Sequence, residues 1–135
     1  MALSEAARAF LAERRFATLA TINPDGTPQQ TVMWYELRGD HVVMNTARRR
    51  KKDQNMLHDP RISICVEDEY RYVAIAGVAE LIQDQVVAQS DIAALALRYE
   101  GPERAAAMVR DNFSRQERIT FLLTVANADV HGFEG

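Results

Sequence analysis

The sequence predicts a mainly β protein, a small antiparallel barrel with helices on its outer side. Six or seven segments rich in β-branched and apolar residues are separated by turn sequences, and four segments with helical character lie before and between them. Closing such strands into a barrel removes exposed sheet edges. With 135 residues, 47% of them hydrophobic and 26% charged, the chain is expected to form one domain, residues 1–135.

The N-terminal elements are predicted from capping and turn signals. Ser4 is a suitable N-cap and Glu5 lies in the first turn of a helix that reaches about Arg15. FATLATI, residues 16–22, is predicted as a strand. NPDGTP, residues 23–28, is a turn, because proline fixes φ and Asp-Gly tolerates positive φ.

Two further strands are expected to complete an antiparallel meander with the first. QQTVMWYEL, residues 29–37, forms the second strand, and HVVMNT, residues 41–46, forms the third after a turn at residues 38–40. A short helix follows over roughly residues 51–58 and ends before Pro60, which disfavours helix at the preceding residue.

The second half of the chain is predicted as a hairpin, two helices and a closing strand. RISICVED, residues 61–68, pairs with residues 70–84, in which Gly77 indicates a bulge or a close backbone approach. One helix runs from Asp84 to the stop signal Gly101-Pro102, and Pro102 begins the next helix at its favoured first position. ERITFLLTV and a short terminal segment, DVHGF, close the fold.

Composition and motifs exclude several classes of function. The net charge of −3 disfavours a dedicated nucleic-acid binder, and the chain has no nucleotide-binding glycine loop and no GxSxG elbow. His41, His58 and His131 lack metal-ligand spacing, so no metal site is expected. A lone cysteine, Cys65, in an apolar run, and the absence of a signal peptide or membrane-length segment, favour a cytoplasmic protein with no membrane partner.

The junction NTARRRKKDQN carries five consecutive cations, Arg48 to Lys52. A strand is expected to end at Thr46 and a helix to begin near Lys51 or Lys52, and a helix N-terminus offers free N–H groups to a phosphate. Thr46 adds a hydroxyl donor, and Asn55 lies about one turn further along. A solvated basic loop and a nucleic-acid or targeting patch remain open alternatives.

The segment QQTVMWYEL has two interpretations. Trp34 and Tyr35 in a strand usually pack in the core. The neighbouring strand, however, leads directly into the basic run, so the two strands could form a surface for a flat ring. The main chain of Gln30, Thr31, Val32 and Met33 would then meet the ring edge.

In combination, these segments resemble the pyridoxamine-phosphate-oxidase-like split-barrel flavoproteins, the FMN-binding split barrels. The resemblance runs from FATLATINPDGTPQQTVMWYEL through HVVMNTARRRKKDQNMLHDPRISICV to the strand around Gly77. It is closest to the small members that use FMN or the deazaflavin coenzyme F420. The resemblance implies a six-stranded antiparallel split barrel and a homodimer with a cofactor at the subunit interface.

Matched position by position, the resemblance implies a set of cofactor-binding residues. They comprise a hydroxyl and a basic group at the phosphate, a strand along the ring and a polar residue in the following helix: Thr46, Arg50, Lys51, Lys52, Gln30, Thr31, Val32, Met33 and Asn55. No catalytic residue is identified. Tyr70 and Tyr72 are the only candidates for a proton donor, and packing is their more common role.

Three departures from the pyridoxamine phosphate oxidases proper argue against vitamin B6 oxidation. Those enzymes carry basic residues at the positions of Gln30 and Tyr35, and a C-terminal arginine motif beyond the position of Gly135. The five-cation run is similar to that of F420-dependent reductases, whose cofactor has a longer anionic tail. The leading hypothesis is therefore an F420-dependent oxidoreductase acting on a small-molecule substrate. FMN dependence, non-catalytic flavin or haem binding, and nucleic-acid binding are the alternatives.

Overall fold

Two antiparallel sheets carry the fold in the computed structural model, which describes residues 3–133; the predicted domain limits, 1 and 135, lie outside this range. The elements, in chain order, are α1 (Glu5–Ala12), β1 (Ala17–Ile22), β2 (Pro28–Met33), β3 (Glu36–Arg38), β4 (His41–Ala47), α2 (Lys51–His58), β5 (Arg61–Asp68), β6 (Arg71–Val78), β7 (Glu80–Ile82), α3 (Gln85–Glu100), α4 (Pro102–Asp111), β8 (Arg118–Thr124) and β9 (Ala128–His131).

One sheet has the strand order β2-β1-β5-β6-β9 and the other has the order β3-β4-β8-β7. Two long chain runs contribute to both sheets, β2 continuing into β3 and β6 into β7. If β2 with β3 and β6 with β7 are each counted as one continuous strand, the described residues hold six long strands and the short β9. The predicted fold class, a mainly β antiparallel split barrel with flanking helices, is confirmed.

The predicted single strand 29–37 and the three-stranded meander are wrong in detail. The run divides at Trp34 and Tyr35, so β2 pairs with β1 while β3 pairs with β4 in the other sheet. Tyr35 causes the division. Its side chain is fully buried and donates to the carbonyl of Leu11 at 2.9 Å, and its backbone N–H donates to the hydroxyl of Tyr99 at 3.1 Å instead of to a strand.

The run 70–84 divides in the same way at Ala79, whose N–H donates to the carbonyl of Pro60 at 2.7 Å. Of the two possibilities for Gly77, the bulge is wrong, and the close neighbour is a side chain, that of Leu123, rather than another backbone. The pairing of Gly77 with Ile62 keeps the register, and a Cβ at this position would lie 3.0 Å from Cδ1 of Leu123.

The predicted helix signals are confirmed. Ser4 caps α1 by accepting from the N–H of Ala7 at 3.1 Å, although the helix ends at Ala12, three residues before the predicted limit. Asp84 caps α3 by accepting from the N–H of Val86 at 2.8 Å, and Pro102 begins α4. No helix among the described residues is long and apolar enough to cross a membrane.

The core lies between the two sheets and under α1. Its largest fully buried side chains come from both sheets and three of the helices: Tyr35, Phe10, Phe121, Leu11, Leu19, Met44, Met56, Ile64, Ile75, Leu95, Ile119 and Leu123. Their burial supplies the main apolar contribution to folding. The outer side of β6 is left with partly or fully exposed alanine and valine side chains, at Ala74, Ala76 and Val78.

Candidate functional site

A pocket of about 270 Å³ opens where the end of β2, the β4–α2 junction and α3 meet. It is lined by apolar and aromatic side chains together with polar and basic ones. The apolar and aromatic lining residues are Val32, Met33, Trp34, Ala47, Ile92, Leu95 and Phe113, the neutral polar ones are Asn45 and Thr46, and the cations are Arg50, Lys52 and Arg118.

The junction between β4 and α2 is held by a buried carboxylate. Asp53, 1% exposed, accepts from the backbone N–H of Arg49 at 3.0 Å and from that of Arg50 at 2.6 Å. This double contact fixes the turn before α2, in which Arg49 adopts a left-handed conformation with φ of 67°. A carboxylate at the first helical turn also complements the helix dipole. The turn therefore sets the directions in which the side chains of Arg50, Lys51 and Lys52 leave the main chain.

The turn disperses the five cations. Arg50, which is also exposed to solvent, and the half-buried Lys52 line the pocket, whereas the exposed Arg49 and Lys51 do not line it. Arg48 is engaged elsewhere: its guanidinium donates to Gln83 at 3.0 Å and to Glu117 at 3.2 Å. The expectation that Lys51 and Lys52 form one binding pair is therefore not met by the geometry, since neighbouring helical residues point in different directions.

A third cation in the pocket, Arg118 at the start of β8, was missed by the sequence reasoning. Its side chain is buried, its Nε donates to Oδ1 of Asn45 at 2.9 Å, and its guanidinium lies 4.8 Å from the ring centre of Phe113. No local motif marks this residue. The only signal is a charged residue directly at the start of the apolar run ITFLL.

The three cations raise the positive potential of the pocket. Burial lowers the pKa of Lys52, and the nearby charge of Arg50 lowers it further. Burial likewise lowers the pKa of Arg118 to about 10, with Arg50 again contributing. Arg118 therefore remains charged at neutral pH. A ligand anion would relieve the repulsion among the three groups.

The predicted ring-binding strand is only partly brought to the pocket. Val32, 65% exposed, and Met33 line it. Thr31 is half-buried, and Gln30 contributes instead to a shallow groove on the outer face of the five-stranded sheet. Within the described residues β2 is an edge strand, so the main chain on its outer edge is free of strand pairing and available to a ligand.

Of the two remaining residues predicted to contact a cofactor, Thr46 lines the pocket and Asn55 does not. Thr46 lines the pocket beside Arg50, and its hydroxyl makes one long hydrogen bond, of 3.4 Å, to the carbonyl of Ala47. Asn55 does not reach the pocket. Its amide is buried and donates to Thr21 and to Asn23, both at 3.0 Å, so it ties α2 to the end of β1.

The side chains considered for acid–base, thiol or metal chemistry lie away from the pocket. Tyr70 is exposed in the β5–β6 turn, and Tyr72 stacks on His131 with ring centres 5.3 Å apart. Burial, and secondarily the charge of Glu67, raises the pKa of the Cys65 thiol, which makes it a weak nucleophile. Residues 3–133 contain no group of His, Cys, Asp or Glu side chains that could hold a metal ion.

These features fit a flavin-type cofactor. Three cations suit a phosphate or carboxylate tail, a wall bearing Trp34 and Phe113 suits a planar ring, and the free edge of β2 offers main-chain groups to polar atoms on that ring. Arg50, Lys52, Arg118, Thr46 and the main chain near Val32 would make the contacts.

Solved structures share this fold. A conserved hypothetical protein of Mycobacterium tuberculosis is 29% identical, with a TM-score of 0.79 over 97% of this chain and 86% of its own. An F420 reductase is 24% identical, with a TM-score of 0.75 over 94% of this chain and 98% of its own. The haem storage protein HutZ of Vibrio cholerae is 21% identical, with a TM-score of 0.73 over 98% of this chain and 97% of its own.

Sequence comparison identifies the family. A pyridoxine/pyridoxamine 5'-phosphate oxidase of Kineococcus radiotolerans is 33% identical over 79 residues, which are 57% of this chain. The chain matches only 35% of that protein's length. The sequence model of the pyridoxamine 5'-phosphate oxidase family matches residues 3–129, nearly the whole chain. This protein therefore belongs to the pyridoxamine 5'-phosphate oxidase family.

Proposed function

We propose that this protein is an oxidoreductase that binds coenzyme F420 and transfers hydride to or from a small organic acceptor. The observation that carries the proposal is that Arg50, Lys52 and Arg118 line the same pocket as the aromatic side chains of Trp34 and Phe113. Such a cofactor supplies the hydride chemistry, while the protein orients the ring and binds its anionic part.

Two observations favour F420 over FMN. Arg49 and Lys51 are exposed and alternate in the chain with the two pocket cations, so positive charge is also present outside the pocket, where it suits a longer anionic tail than that of FMN. An F420 reductase also shares the fold. FMN, the cofactor implied by the family, would need only the cations inside the pocket, and it remains the alternative.

The decisive experiment is a titration of the purified protein with F420 and, separately, with FMN, followed by fluorescence. We expect Arg50→Met/Lys52→Met to lose affinity for both cofactors. Arg49→Met/Lys51→Met removes the same charge from exposed positions and is expected to weaken F420 only. Arg104→Met, an exposed residue paired with Glu100 outside the pocket, is the control. If the wild type binds neither cofactor, the proposal is wrong.

Turnover separates an enzyme from a cofactor carrier. In the enzymatic case, reduced F420 is oxidised when electron-poor acceptors are added, and the rate depends on protein concentration. A carrier of flavin or haem would bind tightly without such oxidation. HutZ, a haem storage protein with this fold, motivates a parallel haem titration. His41, His58 and His131 all lie outside the pocket, so a histidine ligand to haem iron there would have to come from elsewhere.

We further propose that the protein is a homodimer in which a second copy covers the outer face of the five-stranded sheet. This face carries a groove of about 340 Å³ lined by small side chains, among them Ala20, Ser63, Cys65, Ala74 and Ala76. Small side chains allow two sheets to approach closely. We expect a dimeric mass by light scattering and a monomeric mass for Ala76→Arg. A wild-type monomer with cofactor bound would contradict the dimer.

A further inference from the structure

We propose that Arg118 binds an oxyanion, a phosphate or carboxylate group, in this pocket and that a buried hydrogen-bond relay holds its guanidinium in position. The relay consists of Asn45, Thr120 and Asp91. This proposal rests on the proposed function in that it names the anion-binding group of the same pocket, but its central experiment does not require a flavin-type cofactor to bind.

Arg118 is a buried charge without a carboxylate partner. It is 7% exposed, and its side-chain hydrogen bonds go to the amide oxygens of Asn45 and Gln116, both of them neutral. No Asp or Glu among residues 3–133 forms a salt bridge with it. Burying an unpaired guanidinium is costly, and an anionic ligand would offset that cost.

The guanidinium still has donors to offer. Nε is used by Asn45 and Nη1 by Gln116, whereas Nη2 has no hydrogen-bond partner among the described residues. The side chain lines the pocket together with Arg50 and Lys52. A free donor on a charged group at a pocket wall is suited to a ligand oxygen, and arginine binds phosphate and carboxylate oxygens especially well.

The relay behind Arg118 fixes its direction. Both hydrogens of the Asn45 amide are used, one to the carbonyl of Ala88 at 2.9 Å and one to the hydroxyl of Thr120 at 3.1 Å. The amide oxygen must therefore face Arg118. Thr120 in turn donates its hydroxyl to Oδ2 of Asp91 at 2.7 Å. Every bond in this chain points from donor to acceptor in the same direction, so each one polarises the next.

The relay orients Arg118 without neutralising it. The carboxylate of Asp91, 6% exposed, is paired with Arg38 through a 2.7 Å contact to Oδ1. Two neutral side chains, those of Thr120 and Asn45, separate Asp91 from Arg118. The positive charge of Arg118 is therefore kept for a ligand. A structural arginine would more commonly pair with the carboxylate directly.

The first test uses inorganic phosphate as the probe. Phosphate is titrated against chloride at constant ionic strength while the melting temperature of the protein is measured. A ligand that binds the native state alone raises the melting temperature. We expect phosphate to stabilise the wild type and Arg104→Met but not Arg118→Met. Equal stabilisation of wild type and Arg118→Met, or none in the wild type, would overturn the proposal.

A second test identifies which oxyanion the arginine binds. FMN and riboflavin differ by one phosphate, so the ratio of their affinities measures the phosphate contact. If Arg118 binds the cofactor phosphate, Arg118→Met reduces FMN affinity by about tenfold or more and leaves riboflavin affinity unchanged. If the ratio is unchanged while phosphate protection is lost, the oxyanion is not the FMN phosphate and belongs to another ligand of this pocket, the F420 tail or the acceptor molecule.

The relay is tested through Thr120. Thr120→Val keeps the shape but removes the hydroxyl, and we expect phosphate affinity to fall by about fivefold. Thr120→Ser restores the hydroxyl and is expected to restore the affinity, which a purely packing role would not explain. Equal affinities in the two variants would overturn the relay. Failure of every cofactor to bind would overturn the proposed function alone, because the phosphate titration still decides the role of Arg118.

Discussion

The carboxylate of Asp53 accepts the backbone N–H of Arg50 at 2.6 Å and, with its second oxygen, that of Arg49 at 3.0 Å. One buried side chain therefore sets the path of the main chain between β4 and α2. It decides which cations of the basic run enter the pocket and which remain in solvent. Asp53 thereby contributes to the electrostatics of the site through Arg50 and Lys52, although it does not line the pocket.

Replacing Asp53 is expected to affect both stability and ligand binding. Asp53→Ala leaves two backbone donors without an acceptor and removes the carboxylate 3.6 Å from Nε of Arg48. We expect a loss of about 3 kcal/mol in the free energy of unfolding, measured with urea. Asp111→Ala, which breaks only a surface pair with Arg110, should change little. A small loss for Asp53→Ala would mean that the turn is held by other contacts.

Trp34 is the only tryptophan of the chain, and it lines the pocket while stacking on Tyr99 with ring centres 5.2 Å apart. A flavin or deazaflavin ring bound beside it should quench its emission, with the same affinity that the cofactor's own fluorescence reports. Trp34→Phe keeps an aromatic side chain and removes the signal. Unchanged Trp34 emission at saturating cofactor would place the ring away from this wall.

Cofactor affinity is expected to fall at alkaline pH. An anion binds the protonated amine of Lys52, which exists below the pKa of that amine, and burial lowers this pKa from its usual value. Affinity therefore declines as the pH rises through the lowered pKa. Lys52→Met should reduce this alkaline loss of affinity to the part that Arg118, with its pKa of about 10, contributes, whereas Lys51→Met should retain the whole of it. An identical pH profile for wild type and Lys52→Met would contradict the assignment.

Much of the fold could be predicted because its signals are local. Capping by Ser4, the start of α3 beside Asp84, the helix start at Pro102 and the limits of α2 at residues 51–58 depend on residues adjacent in the chain. The division of the strand at Tyr35 could not be predicted in this way. It depends on hydrogen bonds to Leu11 and Tyr99, which are distant in sequence.

The candidate site shows the same contrast between local signals, which could be predicted, and contacts between residues distant in sequence, which could not. Proximity in the chain correctly indicated that Arg50 and Lys52 lie beside Thr46, but it could not show that Lys51 points into solvent. Arg118 is remote in sequence from all of them, and only the pairing of β4 with β8 places it next to the basic turn. Arg118 stands out as a candidate site residue because its charged side chain is buried, and burial is a property of the tertiary structure.

Gly77 provides a test of the packing between the two sheets. A Cβ at this position would lie 3.0 Å from Cδ1 of Leu123, a side chain that is 1% exposed. Gly77→Ala is therefore expected to reduce the free energy of unfolding by about 1–3 kcal/mol, because a fully buried leucine has little room to move.

A double-mutant cycle attributes this cost to the contact. Leu123→Val shortens the side chain that the new methyl group would meet, so Gly77→Ala should cost less in the Leu123→Val background than in the wild type. The difference between the two costs measures the steric conflict, since both backgrounds share any change in main-chain flexibility caused by losing the glycine. Equal costs in the two backgrounds would show that Gly77 is required by its backbone alone. A clear difference would show that the missing side chain is what allows β6 to pack against β8.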